Sequence, residues 1–269
     1  MKPDLHKKFV VGNWKMHTTT SDATHLAKEI AEGLGTVNIG DNVSVAVCPP
    51  FPYLGLVGEI LKGSGVALGA QNLYPEKDGA FTGEVSPTML LDLGCKYVIL
   101  GHSERRRILG ESDAFINQKV RAALTAGLDV ILCVGETLDQ RNSGQTEAML
   151  DRQLTQGLAD VSFGVLNRVT IAYEPLWAIG NLGHHATPQQ AQDAHALIRR
   201  RVGQMSGEKS AQTLVIQYGG SVKPENAAAL LGRPGVDGAL IGGASLDAGQ
   251  FLSIVRAGIS KPQTIGKSA

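Results

Sequence analysis

Eight short apolar runs recur along this chain, and longer stretches with helical periodicity separate them. Each run is predominantly apolar rather than alternating with polar residues, which is typical of parallel strands covered on both faces. The sequence therefore predicts eight buried strands, at Phe9–Gly12, Val43–Val47, Val66–Gly69, Tyr97–Leu100, Val130–Val134, Val169–Ala172, Leu214–Gln217 and Gly238–Ile241.

Helix start and stop signals lie between these runs. Ser86 and Thr187 each precede a proline, which places a capping hydroxyl before Pro at the first helical position. Ser112 opens another helical period, and Gly127 is placed to end it. Ser21 precedes the amphipathic spacing that predicts the first helix.

Strands alternating with helices predict a (β/α)₈ barrel, an α/β fold in which eight parallel strands close into a barrel with outer helices. No Pro/Ser-rich linker divides the 269 residues, so we expect a single domain over 1–269, with its core at about 9–257 and a frayed polar end at 260–269. An open doubly wound sheet is the alternative. That fold usually carries Gly-x-Gly-x-x-Gly after its first strand, and this chain has Gly12-Asn13-Trp14-Lys15 there.

Charge and cysteine content restrict the partners. Lys plus Arg and Asp plus Glu are 25 each, so the formal net charge is zero and we expect neither nucleic acid nor an acidic membrane as a partner. No apolar run is long enough for a membrane span, and Met1–Lys8 has no apolar signal-peptide core. Cys48, Cys95 and Cys133 are expected to be buried reduced thiols, which suits a cytoplasmic location.

Reactive side chains follow the predicted strands, at the ends that share one rim of a parallel barrel. Asn13 and Lys15 follow the first strand, His102 and Glu104 the fourth, and Glu174 the sixth. Partial desolvation at a strand end is expected to raise the pKa of Glu174 towards that of a general base. Singly, Glu174 could be a cap or ion pair, His102 a structural residue and Lys15 a surface charge. Their convergence on one rim favours proton transfer beside a carbonyl.

Glycines after the last two strands indicate the class of substrate. Gly219-Gly220-Ser221 follows the seventh strand and Gly242-Gly243 the eighth. Either group alone suggests a tight turn, whereas both together predict backbone N–H groups that hold a phosphate dianion. His184 and His185 are adjacent and no Cys or carboxylate pattern accompanies them, so we expect no metal.

Six motifs, found in order between residue 9 and about 257, resemble those of the triosephosphate isomerase family. They are Asn13-Trp14-Lys15-Met16, Gly69-Ala70-Gln71-Asn72, Gly83-Glu84-Val85-Ser86, Gly101-His102-Ser103-Glu104-Arg105-Arg106, Ala172-Tyr173-Glu174-Pro175 and Tyr218-Gly219-Gly220-Ser221-Val222. The resemblance implies an isomerase that interconverts dihydroxyacetone phosphate and glyceraldehyde 3-phosphate through an enediolate, in glycolysis and gluconeogenesis. It implies no cofactor, because the reaction is an internal proton transfer.

The resemblance also implies a role for each rim residue. Glu174 would move the proton between the two carbons, while His102, held neutral by a helix N-terminus, would polarise the carbonyl oxygen. Lys15 would stabilise the enediolate, Asn13 would donate to substrate oxygens, and Glu104 would fix Lys15. Ser103 and Cys133 would lie beside the base. Phosphate would receive N–H groups from Gly180, Ser221, Gly242 and Gly243, with contributions from Asn13 and Lys15.

Two loops complete the resemblance. The stretch Pro175–Pro188 resembles the family's closing lid, which excludes water from the reactive intermediate. Its tip, Asn181–His185, is one residue longer than the family pattern. The lid residues implied are Pro175, Trp177, Ala186 and Tyr218. The loop Leu73–Ser86, with Thr82 at its centre, is long for a strand-to-helix connection and would insert into a twin subunit, which implies a C₂ homodimer.

Other functions stay open at this level. The altered lid leaves room for an isomerase of a phosphorylated tetrulose. A non-catalytic phosphosugar-binding barrel would not be expected to keep Asn13, Lys15, His102, Glu104 and Glu174 together. A phosphate-binding barrel such as those of tryptophan synthesis lacks the Asn-x-Lys and His-Ser-Glu elements.

Overall fold

Eight parallel strands close into a barrel in which each strand pairs with its neighbours in chain order and β8 returns to β1. The computed structural model describes residues 8–37, 43–180 and 186–259. The predicted fold class is confirmed, with strands β1 (Lys8–Asn13), β2 (Val43–Cys48), β3 (Val66–Ala70), β4 (Tyr97–Leu100), β5 (Asp129–Val134), β6 (Val169–Tyr173), β7 (Val215–Tyr218) and β8 (Gly238–Ile241). The predictions made for 260–269 and for the lid tip Asn181–His185 lie outside the described residues.

Helices follow the strands and cover the outside of the barrel. In the described ranges they are α1 (Thr20–Gly35), α2 (Leu54–Leu61), α3 (Pro87–Asp92), α4 (Ser103–Arg107), α5 (Asp113–Ala126), α6 (Leu138–Asn142), α7 (Thr146–Gly157), α8 (Pro188–Ser206), α9 (Glu208–Thr213), α10 (Pro224–Leu231) and α11 (Ala248–Ile259). Single 3₁₀ turns occur at Phe51–Tyr53, Phe163–Arg168, Leu176–Ala178 and Gly243–Leu246.

Side-chain caps set several helix boundaries where the sequence predicts them. The hydroxyls of Ser86, Ser112 and Thr187 each accept a hydrogen bond from the backbone N–H three residues further on. Gly127 ends α5 with a φ of 114°, in the left-handed region that favours glycine. These four predictions are confirmed.

Most of the strands extend one residue beyond the predicted runs. Two further differences have a hydrogen bond that explains them. Helix α1 is capped by Thr19 rather than Ser21, because Thr19 and Asp22 form a reciprocal box: the Thr19 hydroxyl accepts from the Asp22 N–H at 3.3 Å, and the Asp22 carboxylate accepts from the Thr19 N–H at 3.0 Å. Strand β7 begins one residue late, since the N–H of Leu214 donates to the Ser210 carbonyl at 3.1 Å and closes α9.

The strands are apolar throughout because both of their faces are covered. Phe9 and Val11 of β1 belong to a cluster of inward-facing strand residues, while Val10 between them packs in the larger layer shared with the helices. Successive side chains of a strand therefore point into two different cores, one inside the barrel and one between the strands and the helices. In neither direction do they face solvent.

The three cysteines lie in these cores as expected: Cys48, Cys95 and Cys133 are buried free thiols. Across the described residues, no helix is both long enough and apolar enough to cross a membrane.

Candidate active site

A cavity of about 270 Å³ opens at the carboxyl ends of the strands. Its lining comes from the segments that follow β1, β4, β6, β7 and β8, which are far apart in sequence. The structure thus gathers eight of the predicted site residues around one space: Asn13, Lys15, His102, Glu174, Gly180, Ser221, Gly242 and Gly243. Glu104 is bonded to this group through Lys15.

Lys15 is held in place through both its side chain and its backbone. Its Nζ lies 2.6 Å from Glu104 Oε1, and its φ of 51° is in the left-handed region that lysine seldom adopts. The Asn13 Oδ1 accepts from the Lys15 N–H at 3.0 Å, and Gln71 Nε2 donates to the Lys15 carbonyl at 2.7 Å. Since the Asn13 oxygen is occupied, its side-chain NH₂ is the group with capacity to donate into the cavity.

His102 caps the short helix α4 and contacts the predicted base. The Glu104 N–H points at His102 Nδ1 over 3.3 Å, which makes Nδ1 an acceptor and assigns the proton to Nε2. That Nε2 lies 2.9 Å from Glu174 Oε1, and the Ser103 backbone N–H donates to Glu174 Oε2 at 2.8 Å. Both oxygens of the buried Glu174 carboxylate therefore have a donor, and Ser103 reaches it through its backbone.

This contact shifts the pKa of both partners. Burial raises the pKa of Glu174, but the adjacent His102 imidazole, the Ser103 N–H and Lys15 together outweigh burial, and the net shift is downward. Burial lowers the pKa of His102, but the carboxylates of Glu174 and, to a smaller extent, Glu104 together outweigh burial and the charge of Lys15, and the net shift is upward.

The lowered pKa of Glu174 is opposite to the raised pKa that was expected. The raised pKa of His102 works against the neutral form that the helix N-terminus was expected to favour, while the hydrogen bond accepted by Nδ1 is that of a neutral imidazole. Those expectations considered burial and the helix N-terminus but not a direct bond between the two residues. Because the two shifts share one 2.9 Å contact, separation of Glu174 from His102 would remove the largest contribution that opposes burial in each pKa.

Two glycines allow the backbone to approach Glu174 closely. A Cβ added at Gly135 would lie 1.8 Å from the Glu174 carbonyl oxygen, and one at Gly219 would lie 2.9 Å from Glu174 Cγ. Side chains at either position would displace the base, so glycine is required there.

The predicted phosphate donors surround the opposite end of the cavity. Gly242 follows β8, and Gly243 begins the 3₁₀ turn Gly243–Leu246. The Ser221 N–H, one of the predicted donors, is engaged with the Ala178 carbonyl at 2.9 Å. A phosphate would have to replace that bond, which connects Ser221 to the hinge of the lid.

The start of the segment that is predicted to form a lid contacts a carboxylate for which the sequence predicted no role. Glu136 is fully buried, and its Oε1 accepts from the Trp177 indole N–H at 3.0 Å and from the Tyr173 hydroxyl at 2.9 Å. Arg141 is 3.3 Å from the same oxygen and stacks over the Trp177 ring at 4.5 Å. Its position in the sequence could have identified it, because Glu136 closely follows the apolar strand β5, as the other rim residues follow their strands. Of the other residues predicted to belong to the lid, Ala186 and Tyr218 are buried and Pro175 directly follows Glu174.

The closed parallel barrel, together with a carboxylate, an imidazole and an ammonium at its glycine-lined rim, defines a class of protein: the (β/α)₈-barrel isomerases. The family model "Triosephosphate isomerase" matches residues 8–258. Curated proteins named triosephosphate isomerase from Carboxydothermus hydrogenoformans (52 % identity, 95 % of this chain and 100 % of the relative) and Chloroflexus aurantiacus (52 %, 91 % and 97 %) are similar over nearly their full length. The chain belongs to the triosephosphate isomerase family.

The Glu174–His102 contact predicts a pH-dependent contribution to stability. A lowered Glu174 pKa stabilises the fold above its ordinary value of 4.5 and is lost as pH falls through the folded value; a raised His102 pKa stabilises below 6.5 and is lost as pH rises through the folded value. The free energy of unfolding of wild type relative to Glu174→Gln should therefore be highest between these two values and decline at higher pH.

Urea denaturation of both proteins at about pH 5.5 and about pH 8.5 measures this difference. A difference that stayed constant, or grew towards the alkaline side, would contradict the charged contact.

Proposed function

We propose that this chain interconverts dihydroxyacetone phosphate and glyceraldehyde 3-phosphate by proton transfer through an enediolate, as a cytoplasmic enzyme of glycolysis and gluconeogenesis. The observation that carries the proposal is the buried Glu174 carboxylate 2.9 Å from His102 Nε2, beside a cavity that Lys15 also lines. The family relationship supports the substrate, and the three buried free thiols suit a reducing compartment.

Glu174 is the general base. Its carboxylate removes a proton from the carbon beside the carbonyl, holds that proton while the enediolate exists, and delivers it to the neighbouring carbon. To reach a substrate carbon, the carboxylate has to leave His102 Nε2 and the Ser103 N–H, with which it is now bonded. Leaving these donors raises its pKa again, so the group becomes a stronger base as it approaches the substrate.

His102 and Lys15 stabilise the charge that develops on oxygen. Once separated from Glu174, the His102 Nε2–H can donate to the carbonyl oxygen and then exchange protons between the two oxygens of the enediolate. Lys15 Nζ, oriented by Glu104, supplies a positive charge, and Asn13 supplies a neutral donor. Donors already in position need little reorganisation during the reaction, which is the source of their effect on rate.

The phosphate end and the lid act together. Gly180, Ser221, Gly242 and Gly243 supply N–H groups to the phosphate, and the Ser221 N–H becomes available when its bond to Ala178 breaks. Because Ala178 belongs to the lid hinge, phosphate binding and lid movement are coupled through that bond. Trp177 and Tyr218 guide the closed position, which keeps water from the intermediate.

The proposal predicts rapid turnover that depends on Glu174. In a coupled assay of glyceraldehyde 3-phosphate conversion, Glu174→Gln should lower kcat by about 10²–10⁴-fold, because the amide cannot accept the proton. Glu147→Gln, an exposed glutamate on α7, serves as the matched control and should leave kcat unchanged.

Absence of turnover in folded wild-type protein would contradict the triose substrate, and phosphorylated tetruloses would then be tested in the same format. Failure with both would favour a non-catalytic phosphosugar-binding barrel.

A C₂ homodimer is part of the proposal. Exposed apolar side chains lie in loops that follow β1, β3 and β4: Met16 is 94 % exposed, Ile108 77 % and Leu109 61 %, and Phe81 stands beside the exposed Thr82. Apolar side chains grouped on one side of a barrel favour an interface with another protein. A twin subunit's loop placed against the β1 loop would press on the segment that carries Lys15.

Thr82→Arg should dissociate the dimer and reduce activity, since a bulky charge would be placed at the centre of the inserting loop. Thr213→Arg, at the exposed end of α9 shortly before β7 and therefore at the amino end of the barrel, is the control. Sedimentation velocity and the coupled assay report on both effects. A Thr82→Arg protein that remains a fully active dimer would exclude this loop as the contact.

A further inference from the structure

Strand β4 is shorter than the strand beside it. Its pairing with β5 runs from Tyr97 opposite Asp129 to Leu100 opposite Leu132. The chain then turns at Gly101 into α4, while β5 continues to Val134 and on to Gly135. Along this stretch a side chain replaces the missing strand: Arg106 Nη2 donates to the Cys133 carbonyl at 3.1 Å.

Gln153 on α7 makes the same kind of replacement at Gly135. Its Oε1 accepts from the Gly135 N–H at 2.7 Å, and its Nε2 donates to the Gly135 carbonyl at 3.1 Å. The side chain is buried and occupies both polar groups of Gly135, at the wall of a cavity of about 510 Å³. A primary amide offers one acceptor and a donor in the geometry of a backbone peptide, whereas a carboxylate lacks the donor and an apolar side chain lacks both.

The opposite side of Gly135 faces the base. A Cβ at Gly135 would lie 1.8 Å from the Glu174 carbonyl oxygen. Backbone bonds on either side of this point join the two segments, from the Glu174 N–H to the Val134 carbonyl at 2.8 Å and from the Leu176 N–H to the Glu136 carbonyl at 3.0 Å. The Gly135 peptide is therefore fixed between Gln153 and the backbone of Glu174.

We propose that Gln153 is a positioning residue for catalysis: by holding the Gly135 peptide in place of a neighbouring strand, it sets the location of the Glu174 backbone and hence the reach of its carboxylate. This inference rests on the proposed role of Glu174 as the base. Gln153 does not border the cavity lined by the predicted phosphate donors; it borders a second cavity of about 510 Å³ that also reaches Glu174. Its loss should therefore slow proton transfer without weakening the binding of phosphate.

Asn117 provides a matched control. It is also a buried side-chain amide that bonds to backbone, with Nδ2 donating to the carbonyls of Gly157 at 3.1 Å and Ala159 at 2.8 Å. These bonds join α5 to the end of α7 and do not involve the base. Asn117→Leu and Gln153→Met each replace an amide by an apolar side chain of similar size, so both should lower Tm.

The two variants should differ in catalysis. Gln153→Met should lower kcat by about 10-fold or more, since small misplacements of a reacting group are costly. The KM of Gln153→Met and its inhibition constant for inorganic phosphate should stay within about twofold of the wild-type values, because the phosphate site is unchanged. The kcat of Asn117→Leu should also stay within about twofold of wild type, because the surroundings of Glu174 are unchanged. A kcat within twofold of wild type in Gln153→Met, or an equal loss in Asn117→Leu, overturns the proposal.

Gln153→Glu tests the donor separately and carries the test if the methionine variant does not fold. A protonated carboxyl can donate to the Gly135 carbonyl as the amide does, whereas the ionised form repels it. Because burial raises a carboxyl pKa, the ratio of kcat in Gln153→Glu to kcat in wild type should fall between about pH 6 and about pH 9. A flat ratio overturns the positioning role.

Wild-type turnover in the same assay distinguishes failure of the proposed function from failure of the role proposed for Gln153. Wild-type protein without triose phosphate turnover contradicts the proposed function and this inference with it. Active wild type combined with unchanged kcat in both Gln153 variants contradicts only the role of Gln153.

Discussion

Closure of eight parallel strands brings all of their carboxyl ends to one rim, and the arrangement of the site depends on that constraint. Both faces of each strand are covered by apolar cores, so the reactive polar groups lie at the strand ends. Residues 13 and 174 are distant in sequence, yet both leave the barrel at the same end and line one cavity. The barrel supplies rigid positions, and the short segments after the strands supply the reactive groups.

Two buried carboxylates on this rim illustrate how surroundings separate structural from reactive roles. Burying a charge is costly unless donors replace water. Glu136 accepts hydrogen bonds from Tyr173 and Trp177, at the start of the proposed lid. Glu174 is bonded to His102 and the Ser103 N–H at the cavity. A substrate can replace these donors. Burial of Glu174, which has to be offset by hydrogen bonds in this state, then raises its pKa towards that of the proposed base.

The barrel and most of the rim could be predicted because they follow from local patterns. Apolar runs indicated the strands, and polar residues directly after them indicated the rim. The rest depends on contacts between segments remote in sequence. The directions in which the pKa values of Glu174 and His102 shift follow from the contact between these two residues, which are 72 positions apart in the sequence. The residues that flank each of them do not reveal this contact. Gln153 acquires its place only because β4 ends before β5, and Asp22 moves the first cap to Thr19.

The central claim is that a proton, held by Glu174, moves between two adjacent carbons. The most direct measurement is conversion of glyceraldehyde 3-phosphate in D₂O, followed by NMR of the dihydroxyacetone phosphate that forms. A carboxyl proton can exchange with solvent while the intermediate lasts, so proton transfer predicts deuterium at carbon 1 of the product. Product free of solvent deuterium, together with a Glu174→Gln variant that turns over at the wild-type rate, would contradict a carboxylate base.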